Sequence, residues 1–282
     1  MLHADLVGRA VFRKLYDRAI LGDYSSFGAV TPTKPVSIDV EQISIATKSI
    51  FLMLTKILQD GTESFEVSVH ETAIYSPVVL FAVGAGGQPE RYTTLVNTLA
   101  GCGCMIVAPH FERLASPAPR EEELTLRARR LSLALDAFVQ PGITVAGVGH
   151  SIGAATLIAL AGAQMWLGPG RCVNNISQDS RLTRIALLAP PTGFFQAPGA
   201  LDSVRVPILA WVGSADNITP PAQTERLAHA MRDWQTVDVR VTIALISLGR
   251  VFYAPDIGSA IIGSVVFVFF MVISIFYFLN FF

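Results

Sequence analysis

Six short apolar runs recur from residue 77 onward: Pro77 to Val83, Met105 to Ala108, Ile143 to Val148, Ile185 to Leu188, Ile208 to Val212 and Val237 to Leu245. All but the last lack the alternating polar positions of a strand with one wet face. They read as strands covered on both sides, the signature of a parallel sheet. Parallel neighbours need crossovers, and the stretches between the runs carry helical spacing: Glu90 to Leu99, Glu121 to Phe138, Ile152 to Leu167 and Pro221 to Trp234. In the second of these, Leu124, Leu131, Leu135 and Phe138 share one face, while Glu123 and Arg127 are expected to pair at i,i+4 on a wetter side. Alternating strand and helix predicts a doubly wound α/β domain.

A chain of 282 residues suits one large domain with additions. The expected division is an N-terminal cover segment over 1–76, an α/β core over 77–245 and an atypical apolar tail over 246–282. The cover segment is the least legible part. Met1 to Leu21 is a mixed amphipathic stretch whose scattered charges leave no continuous apolar run of the kind that opens a secretory signal. Ile43, Ile50, Leu54, Ile57 and Leu58 give Glu41 to Leu58 a helix-like spacing, although Val36, Ile38 and Val40 alternate with polar residues as a half-buried strand would.

Charge excludes one class of partner. The 21 Lys+Arg residues balance 22 Asp+Glu and form no cluster, so no electrostatic footprint for nucleic acid is present. The three cysteines, with Cys102 and Cys104 too close together to staple a loop, suit a reducing, cytoplasmic setting. A metal held by Cys102, Cys104 and His110 would be one ligand short of a closed structural site, so buried thiols and no metal are expected.

The strongest chemical signal is Gly149-His150-Ser151-Ile152-Gly153, a G-x-S-x-G pattern set between a buried strand and a helix of small residues. That is the context of a nucleophile elbow, in which a serine occupies a strained turn and small neighbours let the backbone pass closely. The alternative is an ordinary strand-to-helix turn with Ser151 as its cap. Upstream, the strand ending at Val83 runs into Gly84-Ala85-Gly86-Gly87. Backbone N–H groups of Ala85 and of Ile152, just after the serine, are the candidate oxyanion donors. The loop lacks the Lys-Ser or Lys-Thr of a phosphate loop and the third spaced glycine of a dinucleotide fingerprint. Downstream, the strand Ile208 to Val212 leads to Asp216, which follows Ser151 in the order expected of a triad acid; a turn-capping aspartate is the alternative.

These pieces together resemble the bacterial α/β-hydrolases of the dienelactone-hydrolase-like kind over about residues 77 to 240. The resemblance rests on Val83-Gly-Ala-Gly-Gly, Ile106-Val-Ala-Pro, Gly149-His-Ser-Ile-Gly and Gly213-Ser-Ala-Asp-Asn-Ile-Thr-Pro-Pro, in the family's order. It implies an α/β-hydrolase fold with a mostly parallel sheet and helices on both faces. It also implies hydrolysis of a small-molecule ester, lactone or related acyl compound, catalysis by Ser151 with Asp216, and no cofactor.

Two departures stand out. The family's glycine loop often begins His-Gly, whereas this chain has Val83-Gly84. The family's catalytic histidine lies in a Gly-His-Phe-like turn after the last strand, where this chain reads Gly249-Arg250-Val251-Phe252. A guanidinium stays protonated near neutral pH and cannot accept the serine proton. No histidine follows His229, which reads as a solvated helix residue; His150 is expected to point away from the turn, and His110 is an outside candidate. The triad is incomplete as written.

Composition changes at the same place. Residues 251 to 282 hold one charged residue, Asp256, and an apolar C-terminal helix over Ile261 to Phe282 would reach about 33 Å, enough to cross a bilayer core. The tail therefore reads either as a membrane anchor, with membrane contact through 257–282, or as an altered ending such as a shifted reading frame. The altered ending would explain why the histidine turn is missing. Trp166, Phe194 and Phe195 could line an apolar acyl pocket, or simply pack.

Overall fold

The apolar runs assemble into a single sheet. In the computed structural model, residues 53–71, 76–116, 118–213, 216–231, 241–244 and 275 are described, 241–244 as backbone alone. The strands are β1 (Leu54–Asp60), β2 (Glu63–His70), β3 (Val78–Ala82), β4 (Met105–Pro109), β5 (Val145–His150), β6 (Leu182–Leu188), β7 (Ile208–Gly213) and β8 (Val241–Ala244). Their spatial order is β1-β2-β4-β3-β5-β6-β7-β8. From β4 to β8 every pairing is parallel, and only β1 with β2 and β2 with β4 run antiparallel. Every residue of β3, β5 and β7 is buried, which is why these strands show no alternation in sequence. The edge strand β1 does alternate and leaves Ile57 exposed.

The sheet begins earlier than residue 77. Leu54, Ile57 and Leu58, expected on a helix, lie on β1, which turns at Gly61 (φ 65°) into β2 and pairs Asp60 with Glu63. The two-residue loop Gly61-Thr62 carries glycine at its first position, as tight hairpin turns favour, and pairing with β2, which seats Phe65, Val67 and Val69 in the core, overrides the helical spacing. The rest of the expected N-terminal cover lies outside the described residues. So does the C-terminal tail apart from Ile275, which is fully buried. No helix among the described residues is long and apolar enough to cross a membrane.

Four α-helices are described: α1 (Thr93–Gly101), α2 (Glu121–Phe138), α3 (Ile152–Leu160) and α4 (Pro221–Ala230). α3 is shorter than its apolar sequence suggests and is buried along its whole length, packing against β3, β5 and β6. α2 opens with three glutamates at the positive end of its dipole and a capping box in which Glu123 accepts the Arg120 N–H at 2.7 Å. Glu123 thus pairs with Arg120 rather than Arg127, and Arg127 is buried instead of wet. Three residues further along, Arg130 joins Arg129 in gripping the buried Asp60, at 3.1 and 2.7 Å, and also meets Glu63 at 2.7 Å. Burial alone would raise the Asp60 carboxyl, but hydrogen bonds from the two guanidinium groups, and their charge, hold it below its ordinary value. The helix is thereby tied to the β1–β2 hairpin.

Candidate active site

The parallel register brings four strand ends to one edge: Ala82 lies beside Gly149, His150 beside Leu188, and Leu188 beside Trp211. The segments that follow these ends, at Val83–Gly87, Ser151 and Asp216, therefore share the carboxyl edge of the sheet, where open α/β sheets place their ligands.

Ser151 takes φ 52° and ψ −126° between β5 and α3, a backbone conformation that costs a non-glycine residue energy. The turn is locked from several sides. The Ser151 N–H donates to the Leu188 carbonyl at 2.9 Å, and the Ser151 carbonyl accepts the N–H groups of Ala154 and Ala155 at 2.9 and 3.2 Å. Its hydroxyl makes no capping bond to the helix it precedes, so the capping alternative is not realised. Small residues are obligatory around it: a Cβ on Gly153 would overlap the Ala82 carbonyl, and one on Gly149 would come within 2.8 Å of the Ala154 backbone. The Ile152 N–H, first in α3, is one of the donors that a helix start leaves without an intrahelical acceptor.

The glycine loop lies against this turn. A Cβ on Gly84 would sit 2.8 Å from His150 Nδ1 and 3.1 Å from the Tyr92 hydroxyl. The Gly84 N–H donates to the Tyr92 hydroxyl at 3.1 Å, and that hydroxyl shares a 2.8 Å hydrogen bond with His150 Nδ1. His150 therefore points at the loop and away from solvent. Burial pushes its imidazole down to about 4, with the charge of Asp216 opposing the shift in part. Gly87, at φ 76°, lets the loop pass Phe111, where a Cβ would overlap the Phe111 carbonyl. The Gly87 carbonyl accepts the Phe111 N–H at 2.9 Å, and the Ala85 carbonyl accepts the Leu114 N–H at 3.0 Å. The Ala85 N–H has no acceptor among the described residues.

Asp216 sits three residues past β7, two strands and so about 10 Å from the strand that carries Ser151. One carboxylate oxygen, Oδ1, accepts the N–H groups of Ile218 and Thr219, both at 2.9 Å, and Oδ2 accepts the Thr219 hydroxyl at 2.9 Å. The capping interaction is thus present, and it fixes the carboxylate at the shared edge.

The histidines fall elsewhere. His229 is exposed near the end of α4. His110 follows β4, two strands from β5, with Nε2 2.6 Å from Ser68 Oγ and 3.5 Å from Glu90 Oε1. His70 pairs with Ile106 at the opposite end of β4. His150, next to Ser151 in sequence, is turned to Tyr92, His110 and His229 lie on other elements, and Arg250 lies outside the described residues. A Cys102–Cys104–His110 metal site does not form, because β4 separates the thiols from His110 by about 20 Å of extended chain. Burial also pushes the Cys102 thiol up to about 11 and, with the neighbouring Cys102, the Cys104 thiol up to about 12. Of the aromatic trio, Phe195 lines a cavity of about 470 Å³ with Thr192, Leu201, Arg226 and Leu227, which Ser151 does not reach. Sequence reasoning missed Tyr92 and Arg127; neither stands in a motif, and the sole hint was an aromatic and a cation on helical stretches following the glycine loop.

Sheet order, the strained serine and the glycine loop define an α/β-hydrolase fold, and comparison with solved structures agrees. Esterase 2 of Thermogutta terrifontis, phosphorylated by paraoxon, matches with a TM-score of 0.53 and 15% identity over 79% of this chain and 94% of its own. The same esterase with propionate bound matches with a TM-score of 0.52 and 16% identity over the same shares. A Lactobacillus plantarum protein assigned as a carboxylesterase gives 0.50 and 13% over 79% of this chain and 98% of its own. No protein-family model and no curated protein matches in sequence.

Proposed function

We propose that this chain is a serine hydrolase of small esters or related acyl compounds, slowed by the lack of a catalytic base. The observation that carries the reading is Ser151 at φ 52° between β5 and α3, its hydroxyl not engaged in capping and the Ile152 N–H beside it. Ser151 Oγ would attack the acyl carbon, the Ala85 and Ile152 N–H groups would hold the oxyanion, and the alcohol would leave. Water would then release the acid and restore the serine. Each half needs a proton acceptor beside Oγ, and Asp216 at the shared edge is suited to orient one. With Arg250 where the histidine turn is expected, turnover is expected to fall by about 10⁴ to 10⁶ relative to a complete triad.

A second reading, a catalytically silent binding protein on the same fold, is favoured by the commitment of His110 and His150 to other partners. The esterase above carries a phosphoryl group from paraoxon, so paraoxon is a suitable probe. Incubation followed by peptide mass spectrometry should place a slowly formed diethylphosphoryl group on Ser151. Weak p-nitrophenyl acetate turnover should vanish in Ser151→Ala, survive in His229→Ala and rise in Arg250→His with Val251→Phe. Turnover indifferent to Ser151→Ala would end the hydrolase reading, and no adduct with no turnover would leave the binding protein.

A further inference from the structure

Arg127 is a buried cation with no carboxylate in salt-bridge contact among the described residues. Its side chain reaches from α2 to the back of the glycine loop. Nη1 donates to the carbonyls of Val83 at 3.3 Å and Gly84 at 3.5 Å, and Nη2 donates to the Glu112 carbonyl at 3.4 Å. The guanidinium carbon lies 4.6 Å from the centre of the Phe111 ring. A buried guanidinium ordinarily answers a carboxylate, because an unpaired charge is costly to desolvate. This one instead meets three backbone carbonyls and a ring, all from the two segments that shape the loop.

Peptide geometry gives that arrangement a consequence. The Gly84 carbonyl and the Ala85 N–H belong to one planar trans unit and point in opposite directions. Drawing the carbonyl toward Arg127 turns the N–H away from it. The Gly87 N–H holds the same carbonyl at 3.1 Å, so the turn closes around a single orientation. A cation on the carbonyl also polarises the amide and strengthens its N–H as a donor. On the other flank, Tyr92 and His150 fix the Gly84 N–H.

We propose that Arg127 is the positioning residue of the oxyanion loop, holding the Gly84–Ala85 peptide so that the Ala85 N–H is presented to the space over Ser151. The catalytic half of this proposal rests on the hydrolase reading; the hold on the loop does not. In a loop that begins Val83-Gly84, with no polar side chain at its first position, Arg127 supplies its support from α2. Lysine, a single point charge without the planar fork, can replace only part of it.

Two measurements on the full chain, made with Arg127→Met and Arg127→Lys, test it. Hydrogen exchange at the Gly87 amide, whose acceptor is the Gly84 carbonyl, should quicken about tenfold or more in Arg127→Met and less in Arg127→Lys, while amides of α4 stay unchanged. The turnover ratio between p-nitrophenyl acetate and its thiono counterpart reads the oxyanion contact independently of the folded fraction. Sulfur accepts N–H hydrogen bonds weakly, so the ratio should shrink about tenfold in Arg127→Met and recover partly in Arg127→Lys. Wild-type exchange at Gly87 in Arg127→Met, or in Arg127→Lys should the methionine variant not fold, would overturn the proposal. An unchanged ratio alongside faster exchange would overturn its catalytic half. If wild-type turnover proves independent of Ser151, the hydrolase reading fails on that ground, and exchange alone decides the hold on the loop.

Discussion

His150 Nδ1 and the Tyr92 hydroxyl share a buried hydrogen bond of 2.8 Å, and because that hydroxyl also accepts the Gly84 N–H, the residue preceding Ser151 is fastened to the glycine loop. The imidazole stays neutral because burial pushes it down to about 4 from an ordinary 6.5, against the opposing charge of Asp216. Its folded value lies below its unfolded one, so its contribution to stability is full above about pH 6.5 and is lost as pH falls toward 4. The loss should amount to about 3 kcal/mol. His150→Asn retains an amide able to donate or accept and does not titrate. The stability gap between the two proteins, from urea denaturation at pH 7 and pH 4.5, should shift toward the variant on acidification. A gap independent of pH would mean that His150 is not held neutral.

Gly153→Ala should cost about 3 kcal/mol or more, because its Cβ would overlap the Ala82 backbone rather than the end of a flexible side chain. Gly193→Ala is the matched control, with open space at its Cβ, and should lie within about 0.5 kcal/mol of wild type. Equal thermal midpoints for the two variants would contradict the close approach of α3 to β3.

Asp60→Ala should destabilise by about 3 kcal/mol, since it leaves the buried Arg130 guanidinium with the largely exposed Glu63 as its remaining carboxylate partner among the described residues. Glu63→Ala removes a partner whose side chain is 68% exposed, so a loss below about 1 kcal/mol is expected. Chemical denaturation of both variants separates the buried pair from the wet one. Similar losses would show that the hairpin does not depend on Asp60.

Asp216→Ala should remove a turn cap and cost about 1 kcal/mol, while Asp216→Asn, which keeps an oxygen for the Ile218 and Thr219 N–H groups, should cost less. If the carboxylate also serves as the acid of a triad, Asp216→Asn lowers p-nitrophenyl acetate turnover by about 10⁴ in a chain given a histidine at position 250. Turnover undiminished there would leave Asp216 with the cap alone.

The parallel core was legible because strands buried on both faces show it as unbroken apolar runs, and α2 appeared with the ends expected of it. The hairpin escaped because β1, an edge strand, carries Leu54, Ile57 and Leu58 at a spacing that also fits a helix. Register against β2, a long-range property, decided between them. The Ser151 turn could be read because its pattern is contiguous: Gly149 must be small to clear Ala154 within the same turn, although the demand on Gly153 comes from Ala82 and Val83 at the neighbouring strand end. Arg127 reads as a wet-side residue for the opposite reason. A charged residue four after Glu123 looks like a surface pair, and only the tertiary approach of Val83, Gly84 and Phe111 gives it a buried destination.

Arg127 and Arg130 stand three residues apart on α2, one reaching the glycine loop and the other Asp60 beside the hairpin turn. One residue inserted between them would rotate everything beyond it by about 100° and advance it by 1.5 Å, so that at most one of the two grips could survive. Loops around this sheet can vary in length at little cost, but this one turn of helix works as a gauge block whose dimension is set from both sides. In a homologue that had changed its hairpin, the compensating change would belong on α2 rather than at the serine.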